Sequence, residues 1–148
     1  MTHARMNDTD RVRTAWTRIE AWLASNLPAA LDNLLPPATE EQLASLEAAL
    51  ERPLPAGLRT LLSLHDGEQD GWVPSAFPDG HWLLPSAQLG ELWAQQALLA
   101  EELGGKEDVF DFWRAQVEDG IIFVQGPVKP KFGSRAWIPF STLDGHVQ

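Results

Sequence analysis

The chain has 148 residues, 44% of them hydrophobic, with seven tryptophans, no cysteine and a net charge of −10. That length and apolar content suit one domain with a buried core and exclude a disordered chain. The lack of cysteine excludes disulfides, thiolate metal sites and a thiol nucleophile. The acidic balance excludes a phosphate-binding surface for nucleic acid.

The first helix is predicted from about Asp8 or Thr9 to just before Pro28. Val12, Trp16, Ile19 and Leu23 form one apolar stripe, and Arg11, Arg13 and Arg18 lie off it. Residues 28–37, with three prolines, read as a connector. Thr39 and Gln42 form a capping box for a second helix burying Leu43, Leu46 and Leu50. A third helix runs from about Pro55 to Leu64, burying Leu58, Leu61 and Leu62. It is stopped by Asp66-Gly67, with Gly67 at a left-handed C′ position.

From Gly67 to Leu84, proline and Asp-Gly punctuation predicts short strands and turns. A fourth helix is expected from about Ser86 to Leu103, with Leu89, Leu92, Trp93, Gln96, Leu99 and Leu103 along one side. Residues 107–118 suit a further helical turn, Ile121–Val124 a core strand, residues 126–133 a loop, and Trp137–Phe140 a strand with a proline at an edge or bulge.

These elements predict an α+β fold: N-terminal helices packed on a small, mostly antiparallel sheet, with residues 1–10 as an extension and 11–148 as a single domain. The N-terminus leads straight into charged residues without an apolar signal region, and no run reaches membrane-spanning length, so a cytoplasmic protein is expected.

No catalytic set stands out. Asp66, Glu68 and Asp70 sit at positions one, three and five of a calcium-like loop. Phe77 occupies the place of its bidentate glutamate, so an exposed acidic turn is the better reading. His65 beside Asp66 reads as a helix C-terminal residue favoured by the dipole rather than a general base. There is no nucleophile elbow, phosphate loop or metal-ligand spacing of histidines, so no cofactor is expected. Trp16, Trp93 and Trp137 lie on core patterns, while Lys129, Lys131 and Arg135 decorate a loop. The charge is concentrated: residues 66–119 hold twelve acids against Lys106 and Arg114. Asp66, Glu68, Asp70 and Asp79 there bracket Trp72 and Trp82, and these six residues are the candidate docking face for a basic protein partner.

One ordered set of segments carries a family resemblance. It comprises Trp16-x-x-Ile19-Glu20-x-Trp22-Leu23, Pro37-Ala38-Thr39-Glu40-Glu41-x-Leu43-x-x-Leu46-Glu47, the Leu54–Gly67 helix and stop, and Trp137-Ile138-Pro139-Phe140. Together they closely resemble the SUKH superfamily, which contains Smi/Knr-type yeast cell-wall regulators and bacterial toxin-immunity proteins. The resemblance implies an α+β domain that binds another protein and catalyses nothing. The foremost reading is an immunity protein that masks a toxin's active site; the alternative is an intracellular regulatory or scaffold module. A glycan- or nucleotide-acting enzyme built on the tryptophans and His65-Asp66 ranks below both. Family domains continue into further strands after the Trp-x-Pro-Phe segment. A chain lacking them would have a free sheet edge able to pair with a second copy.

Overall fold

The computed structural model describes residues 7–69, 74–77, 81–104, 118–119 and 135–142. In chain order it contains α1 (Asp8–Asn26), α2 (Pro28–Asp32), α3 (Glu40–Ala49), α4 (Ala56–Leu64), β1 (Trp82–Leu83), α5 (Ser86–Gly104) and β2 (Ser141–Thr142). This is the expected α+β class. The predicted helical turn at 107–118 lies outside the described residues except for its last position. The strand at 121–124 and the loop at 126–133 lie wholly outside them.

Two compact units divide the chain: Met1–Glu91 with Pro139–Gln148, and Leu92–Ile138. In the first, α1 starts because the Asn7 side chain accepts the Asp10 amide at 2.8 Å, one position before the expected cap. Trp16 and Leu23 of its apolar stripe are buried, and α1 packs on α4 and α2. The expected connector contains a helix after all. Pro28 at the first helical position pre-sets the backbone for α2, which buries Ala30.

The Thr39 box caps α3 as the sequence predicts, with Gln42 N donating to Thr39 Oγ1 at 3.1 Å and Thr39 N to Gln42 Oε1 at 2.8 Å. Its other end closes through Glu51, a non-glycine residue at φ 55°. There Glu51 N reaches Ala48 O at 3.2 Å and Arg52 N reaches Glu47 O at 3.1 Å, the paired bonds of a Schellman stop. Leu43, Leu46 and Leu50 are buried as expected.

The strand layer is narrow but extends beyond its named strands. Segment 33–35 bonds to 67–69 through Leu35 N to Gly67 O (2.9 Å) and Gln69 N to Asn33 O (2.8 Å). Glu68 N then donates to Leu83 O at 2.9 Å, and β1 pairs antiparallel with β2, Leu83 opposite Ser141. The strand predicted at Trp137–Phe140 therefore falls two to four residues later. Pro139 has no amide to give a ladder, and the pairing begins where Phe140 O accepts Leu84 N at 2.9 Å.

In the second unit, Trp93 is buried and donates its indole N–H to Arg135 O at 3.0 Å. The Arg135 guanidinium lies 5.7 Å from the Trp93 ring centre and 3.0 Å from Glu101, so it holds a specific place rather than decorating a loop. Two tryptophan assignments stand, at Trp16 and Trp93. The third is corrected: Trp137 is 48% exposed. Among the described positions of α5, Ser86, Leu89, Trp93 and Ala97 are buried, while Leu99 is exposed.

Candidate functional site

The sequence reads the segment after α4 as an exposed acidic turn, but its acids Asp66 and Glu68 are buried. The helix ends at Leu64 because His65 turns to extended backbone, with His65 N still bonded to Leu61 O at 3.0 Å. Gly67 does take a left-handed conformation, φ 85°, but it lies one residue past C′. Its conformation answers a close approach: a Cβ there would stand 2.4 Å from Pro85 N and 2.7 Å from Leu84 C. Only glycine lets these two backbone stretches meet.

Asp66 and Glu68 flank that contact, 8% and 5% exposed. Asp66 accepts Ser86 N at 2.8 Å and Ser86 Oγ at 3.0 Å, placing a carboxylate on the first turn of α5, where the helix dipole favours it. Gln42 of the α3 cap adds a contact from Nε2 at 3.4 Å. Glu68 accepts Leu83 N at 2.7 Å and Ala76 N at 2.8 Å, with the Ser75 hydroxyl 3.0 Å away. The two acids therefore tie β1, the 74–77 segment and α5 to the end of α4. Their oxygens face N–H and O–H donors, so the calcium-loop likeness has no structural counterpart at these two positions.

Of the six candidate docking residues, Asp66 and Glu68 are thus internal ties rather than contact acids. Trp82 is also buried, 8% exposed within β1, and cannot serve as an exposed anchor. Asp70, Trp72 and Asp79 lie outside the described residues.

His65 forms no dyad with Asp66, since successive side chains diverge. Its Nδ1 bonds to Leu35 O at 2.9 Å and its Nε2 to Glu20 Oε1 at 2.6 Å, while the ring sits 5.8 Å from that of Trp16. A carbonyl only accepts, so Nδ1 carries a proton. Both ring nitrogens are engaged, and His65 ties α1 to the 33–38 segment. Glu20, 45 positions away, gave no local signal of this role.

A second surface is the exposed face of α1 that bears Arg11 and Arg18, which the sequence places off the apolar stripe. Arg11, Ala15, Arg18 and Trp22 recur at spacings of four, three and four and form an exposed flank about 120° around the helix from the buried Trp16 and Leu23. Trp22, expected only as part of the family signature, is 58% exposed. Beside this stripe runs a shallow groove of about 440 Å³ lined by Asp8, Arg11, Val12, Ala15, Pro55, Ala56 and Gly57. Arg59, by contrast, is engaged, 2.7 Å from Glu40 and 3.7 Å from Glu47. The hydrogen bond and charge of Arg59 hold the Glu40 carboxyl below its ordinary range.

Among the described residues no group of three or more His, Asp or Glu could hold a metal ion, and no helix is long and apolar enough to cross a membrane. What the geometry defines is an α+β domain whose buried polar groups tie its own segments together. The SMI1 / KNR4 family model (SUKH-1) matches residues 37–147, and the chain belongs to that family. It is similar to the "Cell wall biosynthesis/cell cycle regulator smi1" of Schizosaccharomyces pombe, 30% identical over 135 residues, covering 88% of this chain and 26% of that protein. It is also similar to the "Glucan synthesis regulatory protein" of Neurospora crassa, 30% identical over 91 residues, covering 62% of this chain and 17% of that protein. The "KNR4/SMI1 homolog" of Yarrowia lipolytica is 35% identical over 82 residues, covering 55% and 12%. The chain thus spans about a quarter or less of the length of these relatives.

Proposed function

We propose that this chain is a non-catalytic protein-binding module of the regulatory kind, an interaction or scaffold domain acting inside the cell. The observation that carries the reading is the role of two relatives, named as regulators of glucan synthesis and of cell-wall biosynthesis. The geometry supports it from another side. His65 has both ring nitrogens occupied and Asp66 is committed to the start of α5, so the one dyad that suggested catalysis is consumed structurally.

The toxin-immunity reading comes from the family resemblance, and the docking face proposed with it loses Asp66, Glu68 and Trp82 to burial. The roles of the relatives favour the regulatory alternative. A basic partner keeps only the electrostatic argument of the acidic central third, including exposed Glu91 and Glu102 on α5. The test is chemical crosslinking in the native cell, followed by mass spectrometry of the captured chain. The reading expects one recurrent heterologous protein crosslinked at defined positions. Crosslinks scattered at background level over abundant proteins would overturn it.

A further inference from the structure

The outer face of α1 combines three features that no structural role accounts for. Trp22 leaves more than half its surface in water, though no packing requires an indole there. Arg18, between Trp22 and the groove, is exposed and has no ion-pair partner among the described residues, in a chain with 21 acids and 11 lysines and arginines. With acids in such excess, an unpaired arginine beside an exposed indole is a local reversal of the protein's charge. The third feature is the groove itself, with an apolar wall of Val12, Ala15, Pro55, Ala56 and Gly57 and with Arg11 and Asp8 as its charged lining. Arg11 is only loosely held by Asp8, at 3.5 Å between exposed side chains.

We propose that this face binds a short acidic segment of a partner protein; the inference rests on the binding-module reading and names a surface and partner chemistry for it. Seven residues of helix separate Ala15 from Trp22, about 10.5 Å of rise, which about three residues of extended chain span. The fitting ligand therefore carries two apolar side chains about three residues apart, with acids between them. One apolar group enters the groove, the other packs on the Trp22 indole, and the carboxylates meet Arg18 and Arg11. A symmetric second copy does not fit, because its Arg18 would approach this Arg18. Nucleic acid does not fit either, since two arginines offer too few phosphate contacts against a net charge of −10. The same overall charge favours a short segment over a broad acidic surface, because repulsion beyond a Debye length of about 8 Å is screened.

The test selects a random displayed peptide library on the full chain, then measures the winning peptides against Trp22→Ala and Arg18→Glu by fluorescence anisotropy. Both positions are exposed, and unchanged thermal melting of each variant shows that the fold is kept. The proposal expects apolar–acid–acid–apolar sequences, affinity falling as salt rises, and a loss of about tenfold or more with either variant. Selection of basic or uncharged peptides, or winners that ignore both variants, would overturn it. So would Trp22-dependent dimerisation in sedimentation, or Trp22-dependent binding to anionic phosphatidylserine vesicles, in the absence of peptide binding. The outcome also separates the two levels of inference. A native partner that is captured equally by both variants removes this face and leaves the module. Absence of any native partner removes the module reading, while the peptide selection still judges the face.

Discussion

Replacing Glu68 by alanine removes the acceptor of two backbone amides, Leu83 N at 2.7 Å and Ala76 N at 2.8 Å. The Leu83 amide is buried, so water cannot replace the lost oxygen without opening β1. Hydrogen bonds to a charged acceptor contribute about 1.5–3 kcal/mol each, and an orphaned buried donor costs about 1–3 kcal/mol. Recovering the carboxylate's own desolvation offsets part of this, which leaves an expected loss of about 3–4 kcal/mol. Urea unfolding followed by tryptophan fluorescence measures it cleanly, because the chain has no tyrosine. With a urea slope of about 1.5–2 kcal/mol per molar, the midpoint should fall by about 2 M. Glu68→Gln should cost about half as much, since the amide keeps one acceptor but turns an NH2 toward a backbone donor. A solvated acid at this position would change stability by no more than about 0.5 kcal/mol. A Glu68→Ala midpoint within that range would refute the reading of Glu68 as an internal tie.

Three further predictions rest on other observations. Gly67→Ala should destabilise by more than about 2 kcal/mol, because left-handed strain adds to a Cβ 2.4 Å from Pro85 N; an unchanged thermal midpoint would contradict the close approach. Glu51→Gly should instead stabilise by about 0.5–1 kcal/mol by relieving a non-glycine residue at φ 55°, read by the same urea titration, and a loss of stability would count against the Schellman stop. For the pH dependence, a lowered folded-state pKa at Glu40 means its tie to Arg59 is present above the ordinary glutamate range and lost as acid is added. NMR titration should therefore show the Glu40 midpoint rising in Arg59→Gln, and an unmoved midpoint would remove Arg59 as the cause.

Local pattern revealed what local physics decides. The Thr39 box, the burial of Trp16 and Leu23, and the leucines of α3 follow from caps and helical period alone, and the structure reproduces them. The family was legible too, because its signature is an ordered set of such local pieces. The carboxylates were not. Acids after a helix read as a solvated turn unless their partners are known, and those partners lie at 76, 83 and 86, supplied by segments that only the fold brings back. The same holds for His65, whose partner Glu20 sits on another helix. Trp22 entered only as part of the family signature, yet at about 3.6 residues per turn it lies about 100–120° around α1 from Trp16 and Leu23, off the buried stripe. Composition said only that many indoles were present, and the helical wheel of α1 was the signal that could have found this one.

Native mass spectrometry of the chain, isolated gently from its own cells at endogenous abundance, tests the central claim most directly. The account predicts a discrete heteromeric mass containing this chain and one unrelated protein, dissociating on mild activation to the free chain. A spectrum holding only the free chain or its own multimers would contradict the assignment of a regulatory protein-binding module.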